Sequence, residues 1–106
     1  MKVFVRAAMF SDLPLGRGRR IFVEDHAIAL FRDGDSARAF ADRCPHAGGS
    51  LGDGWVEDGE CVCPLHRWRF RLADGACTTI RGEWARVFRC EVREGWVWVE
   101  IDRAEA

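Results

Sequence analysis

The chain has no tyrosine, a single lysine, two methionines, and only three prolines and three histidines in 106 residues. The scarcity of lysine is not a scarcity of positive charge. Fifteen arginines bring Lys+Arg to 16 against 17 Asp+Glu, a formal net charge of −1. Binding nucleic acid through its phosphates asks for a basic excess, so that class of partner is not expected. No apolar run approaches the ~20 residues of a membrane span. Met1–Phe10 alternates apolar and basic residues and lacks the apolar core of a signal peptide. These absences predict a soluble, cytoplasmic protein with no membrane partner. Cysteines number five, an odd count that argues against a disulfide framework. In a reducing compartment, cysteines lying beside histidines are more often metal ligands. Disorder is excluded by a 48% hydrophobic content beside 31% charged residues. The length fits one domain, residues 1–106.

What is present reads as all-β, in short alternating runs separated by turn residues. Lys2–Ala7 places Val3 and Val5 on one face, with Lys2, Phe4 and Arg6 on the other. Arg20–Val23 and Ala27–Arg32 are strand-like and joined across Glu24-Asp25-His26, which would leave His26 a solvated surface residue. A hairpin signal, Asp33-Gly34-Asp35, leads to a strand at Arg38–Ala41, with a helix over Ser36–Arg43 as the alternative. Asp42–Gly54 carries four glycines and a proline and reads as a loop, the kind of segment that holds a site on a rigid scaffold. Trp55–Glu57 and Glu60–Val62 flank an Asp58-Gly59 turn. A second loop, Cys63–Arg67, precedes an alternating strand in which Trp68, Phe70 and Leu72 oppose Arg67, Arg69 and Arg71. Ala85–Val92 and Trp96–Ile101 form a last hairpin around Arg93-Glu94-Gly95. Val97, Val99 and Ile101 are expected in the core, with Trp96 and Trp98 on the opposite face against a loop or a subunit interface.

Two loop motifs carry the chemistry, Cys44-Pro45-His46 and Cys63-Pro64-Leu65-His66. Sixteen residues separate His46 from Cys63. Each loop supplies one thiolate and one imidazole. Proline fixes φ and removes a donor, while glycine lets neighbouring N–H groups approach sulfur. Two thiolates and two imidazoles make the ligand set of a Rieske [2Fe–2S] centre. They could also hold zinc, as in a zinc-stabilised interaction module, although a zinc finger needs a helix bearing both histidines and the segment between them here is β-like. Cys61 and Cys90 are expected to face the interior as free thiols, and Cys77 to be partly exposed.

The segments CPHAGGSLGDG (Cys44–Gly54) and CPLHRWRFRLADG (Cys63–Gly75) resemble the Rieske ferredoxin family. The resemblance covers both prolines, Gly48, Leu51, Gly54, Trp68, Phe70 and Gly75 as well as the four ligand positions. It implies an antiparallel β-sandwich or barrel with a small cluster-binding subdomain at about residues 42–75. Cys44 and Cys63 would hold the buried iron, and His46 and His66 the outer one. In high-potential members a disulfide links the two loops, at positions that are Gly49 and Leu65 here. Those members also donate Ser and Tyr hydroxyls to the cluster, at positions that are Trp68 and Phe70 here. The missing donors imply a low-potential centre. The residue after the second histidine is commonly glycine in the family and is Arg67 here, which favours an acidic partner. The Arg67, Arg69, Arg71 stripe otherwise reads as a solvated face. The resemblance thus implies an electron-transport protein, a component of an oxidoreductase system rather than a complete enzyme. It would pass one electron at a time from an NAD(P)H-dependent flavin reductase to a terminal oxygenase such as a ring-hydroxylating dioxygenase. The alternative is the small subunit of an NAD(P)H nitrite reductase with a large subunit as permanent partner, which the wording CPLHRWRF favours.

Overall fold

Residues 1–46 and 48–103 are described by a computed structural model. Within them the chain forms ten short strands: β1 (Lys2–Met9), β2 (Arg19–Val23), β3 (His26–Asp33), β4 (Ser36–Ala41), β5 (Trp55–Glu57), β6 (Glu60–Val62), β7 (Arg69–Arg71), β8 (Val87–Phe88), β9 (Cys90–Arg93) and β10 (Trp96–Asp102). They pair into three antiparallel sheets, in the orders β1-β10-β9, β2-β3-β4-β8 and β5-β6-β7. The helical alternative over Ser36–Arg43 does not form. Ser36–Ala41 pairs along its length with β3, setting Phe40 opposite Ala29 and Ala39 opposite Leu30. No helix among the described residues is long and apolar enough to cross a membrane.

The alternation in the sequence sets which face each strand buries, because successive side chains point to opposite faces. In β10, Val97, Val99 and Ile101 are buried, while Trp96 and Trp98 lie half-buried on the other face. On that outer face the Arg6 guanidinium covers the Trp96 ring at 4.4 Å and that of Arg93 covers Trp98 at 4.8 Å. Tight turns join the pairs. Glu94 and Gly95 have φ of 52° and 82°, and Asp58 and Gly59 have 52° and 75°, the left-handed pairs that two-residue hairpins favour.

Strand β3 explains the layering. Its central residues Ile28, Ala29, Leu30 and Phe31 are all fully buried, so both faces of the middle sheet are covered. Ile28 and Leu30 join Ala37, Ala39, Val97, Val99 and Ile101 in a core shared with the β1-β10-β9 sheet. Ala29 and Phe31 face the other way, into a core with Phe40, Phe70, Leu51, Leu72 and the thiols of Cys44, Cys61 and Cys63. Phe31 and Phe40 meet there at 5.7 Å between ring centroids. Burying one such ring contributes about 1.5–3 kcal/mol.

Two expectations are corrected here. Ala85–Val92 is not one strand: it breaks at Arg89, with β8 pairing to β4 and β9 to β10. The alternation gave no hint of the break, because Phe88 and Cys90 both bury toward the same core while their backbones join different sheets. His26 is not a solvated turn residue. It opens β3 half-buried, its ring edge-on to Phe88 at 6.0 Å.

Candidate metal centre

The first loop leaves β4 and returns to the third sheet at β5. Backbone hydrogen bonds close it on itself: Cys44 N–H donates to Gly49 O at 2.7 Å, and Gly48 N–H, with φ at +72°, donates to Cys44 O at 2.8 Å. Asp42 pins the far side. Its carboxylate, only 3% exposed, accepts from Ser50 Oγ at 2.8 Å and from Gly52 N–H at 2.6 Å, with Arg20 Nε at 3.8 Å. The loop glycines answer to contact. A Cβ on Gly54 would fall 2.1 Å from Val62 O, and one on Gly52 would fall 2.8 Å from Arg20 N.

The second loop is a tight excursion between β6 and β7, held where Cys63 N–H donates to Trp68 O at 2.8 Å. His66 and Arg67 both have left-handed φ, 62° and 58°. That conformation costs a side-chain-bearing residue about 1–2 kcal/mol, a cost that glycine at the Arg67 position would not carry.

Packing against the shared core brings the two loops together. Cys44 and Cys63 are fully buried in the same core. Burial pushes the Cys63 thiol up and the adjacent Cys44 thiol adds to this, against a lowering hydrogen bond from the Leu65 backbone. His46 and His66 are exposed, their rings edge-to-face at 5.2 Å. One face of His46 is covered by Trp68, stacked in parallel at 3.9 Å and 10°. The four residues therefore form two pairs, sulfur inside and nitrogen outside. Among the described residues, no three His, Cys, Asp or Glu gather around one point to hold a single ion. Two pairs suit a two-metal group with unlike ends better than one tetrahedral zinc. The buried thiols are the donors such a group would deprotonate. Gly49 and Leu65 lie against each other, since a Cβ on Gly49 would come 2.9 Å from Leu65 Cδ1. The loops thus meet where high-potential relatives are expected to place a disulfide, and here the contact is apolar.

The surrounding residues sort differently from their spacing. Arg69 bonds Glu60 at 2.7 Å, and Arg71 bonds both Asp74 oxygens at 3.1 and 2.7 Å. The Glu60 carboxyl is held below its usual range, first by Thr78 and then by Arg69. The arginine stripe is therefore largely neutralised within the chain, leaving Arg67 apart. Cys61 is fully buried, and desolvation pushes its thiol up to about 12. Cys77 is buried as well, not partly exposed, with Ile80 N–H donating to its sulfur at 3.4 Å. Cys90 donates its S–H to Ala37 O at 2.9 Å. Two contacts at the site are not legible in the sequence. Asp42 looks like any solvated loop aspartate until the loop folds over it. Trp68 matches the family pattern, but its stacking on His46 joins residues from different loops.

Comparison with known proteins agrees with this geometry. Residues 3–91 match the profile described as the Rieske [2Fe-2S] domain. The pea (Pisum sativum) chloroplast protein TIC 55 is 37% identical over 103 residues, covering 87% of this chain and 18% of its own length. The chain thus spans less than a fifth of that relative. The ferredoxin subunit of anthranilate 1,2-dioxygenase from Burkholderia cepacia is 40% identical over 76 residues, 70% of this chain and 69% of the subunit. Among solved structures, a candidate NADH-dependent nitrite reductase small subunit from Mycobacterium tuberculosis superposes with a TM-score of 0.86 at 27% identity, covering 98% of this chain and 99% of that one.

Proposed function

The chain belongs to the Rieske [2Fe–2S] domain family, and on that footing we propose that it is a one-electron carrier in which Cys44, His46, Cys63 and His66 hold the cluster. When bound, a [2Fe–2S] cluster takes up one electron and gives it back. The observation that carries the reading is the division of the four side chains into a buried thiol pair and an exposed imidazole pair. Cys44 and Cys63 would hold the group on its buried side, and His46 and His66 would hold it where their exposed rings face a partner. Within the single domain of residues 1–106, about 42–75 act as the cluster-binding subdomain. The electron donor is a flavin reductase using NAD(P)H and the acceptor a terminal oxygenase, in the cytoplasm, as the likeness to a dioxygenase ferredoxin subunit supports. The chain is then a component of an oxidoreductase system and not a complete enzyme.

The near-complete superposition on a candidate nitrite reductase small subunit favours a second reading, that of a permanent subunit. Co-purification with a large flavin- and sirohaem-containing polypeptide separates the two. The experiment that tests the proposal is the visible and EPR spectrum before and after dithionite. A red-brown protein whose reduced form gives a rhombic signal of low average g is expected, and Cys63→Ser should abolish it. A colourless protein holding stoichiometric zinc would overturn the reading. The apolar Gly49–Leu65 contact, with Trp68 and Phe70 in place of hydroxyl donors, predicts a midpoint near the lower end of the roughly −150 to +300 mV Rieske range. A value above about +100 mV would contradict it.

A further inference from the structure

The two exposed imidazoles are not equivalent, and neither are the two sides of the cluster end. His46 has one ring face covered by Trp68 at 3.9 Å. His66 meets only His46, edge to face at 5.2 Å, among the described aromatic contacts. The left-handed backbone of His66 and Arg67 turns the tip of the second loop outward, and Leu65 beside them is 47% exposed. The charges are also uneven. Arg43 and Arg67 are exposed and make no ion pair among the described residues. The Arg43 guanidinium lies along the first loop, 3.6 Å from where a Gly48 Cβ would stand. Against these two cations, the two loops carry the carboxylate of Asp42, which is buried and hydrogen-bonded, and that of Asp53, which is exposed. Arg20, 3.8 Å from Asp42, offsets that carboxylate, which leaves Arg43 and Arg67 against Asp53 alone, so the cluster end is locally positive on a chain whose net charge is −1.

Resting on the carrier reading above, we infer that the redox partner docks on the second-loop side, over His66, and presents an acidic protein surface. Leu65 supplies the apolar centre of that contact, and Arg67 and Arg43 flank it as the charged rim. Arg69 and Arg71 do not take part, because Glu60 and Asp74 already neutralise them.

The test uses the cluster-loaded protein and small one-electron oxidants in place of the partner. Dithionite-reduced protein, freed of excess reductant, is mixed in a stopped-flow instrument with tris(oxalato)cobaltate(III), a trianion, or hexaammineruthenium(III), a trication. Each takes one electron from the protein. Local attraction predicts that the rate with the trianion falls about 3-fold or more between ~0.02 and ~0.5 M salt, while the rate with the trication rises. Arg43→Gln and Arg67→Gln should each weaken the fall, and the double variant should remove it. Arg93→Gln, in another sheet, should leave it intact. A trianion rate that rises with salt, as the net charge alone would dictate, overturns the inference, as does a double variant that behaves like the parent. The spectrum of each sample separates the two levels. Absence of a [2Fe–2S] signal in the parent protein defeats the carrier reading itself, whereas an intact signal with the wrong salt dependence defeats only the acidic docking surface.

Discussion

The two ends of the molecule are built under different rules. In the body, the sheets β1-β10-β9 and β2-β3-β4-β8 bury aliphatic side chains by simple alternation, and glycines stand at turns such as Gly34, where no atom lies within 4 Å of a would-be Cβ. At the cluster end, backbone replaces side chain as the packing surface: Gly54 is pressed against Val62 O and Gly52 against Arg20 N. Thiols and a buried carboxylate take the places that leucine and valine hold in the body. The body is specified by hydrophobic pattern and tolerates change that keeps the pattern. The cluster end is specified by close contacts and backbone conformation, so its tolerance is decided atom by atom.

Paired glycine substitutions give the largest expected contrast. Gly54→Ala has no room without moving the Val62 strand and should cost more than about 3 kcal/mol. Gly34→Ala meets only its left-handed φ and should cost about 1 kcal/mol. Denaturant unfolding of both variants measures the difference, and equal costs would break the comparison. Leu30→Ala opens a cavity in the body core and should cost about 3 kcal/mol. Its visible spectrum should match the parent, and a lost spectrum would show that the two cores are not independent.

The third contrast is with pH. Burial pushes the body thiol Cys90 up to about 11 from an ordinary 9.0. A raised folded pKa means the stability it contributes is whole below pH 9 and is lost as pH climbs toward 11. By linkage the loss should reach about 2 kcal/mol at pH 11. Thermal unfolding against pH should show it, and Cys90→Ala should lessen that alkaline fall, leaving the part due to Cys61, whose thiol burial pushes up to about 12. The smallest effect has the opposite sign. Arg67→Gly relieves the left-handed φ of 58° and should stabilise the fold by about 1 kcal/mol. A destabilised Arg67→Gly would mean that the Arg67 side chain makes a contact outweighing its backbone cost.

Much of this was legible in the residues. The hairpins signalled by Asp33-Gly34-Asp35, Asp58-Gly59 and Glu94-Gly95 form where turn chemistry puts them, because a two-residue turn is a local decision. The inward face of β10 followed from Val97, Val99 and Ile101 alone. The Cys–His motifs pointed to the two loops, and tertiary structure brings those loops together. What failed was non-local. The break at Arg89 depends on two partner strands distant in sequence, and neighbouring side chains do not encode it. His26 was misplaced because Phe88, its ring partner, lies 62 residues on.

By itself, the sequence determined the strand faces, the tight turns and the donor types available to a metal group, since each depends on residues within a few positions of one another. Tertiary structure alone decided that the thiols pair inside and the imidazoles outside, that Trp68 covers His46, and that Asp42 becomes a buried anchor. Those outcomes depend on how two loops pack over the Phe31–Phe40 core, and that packing is set by long-range contacts that periodicity does not record.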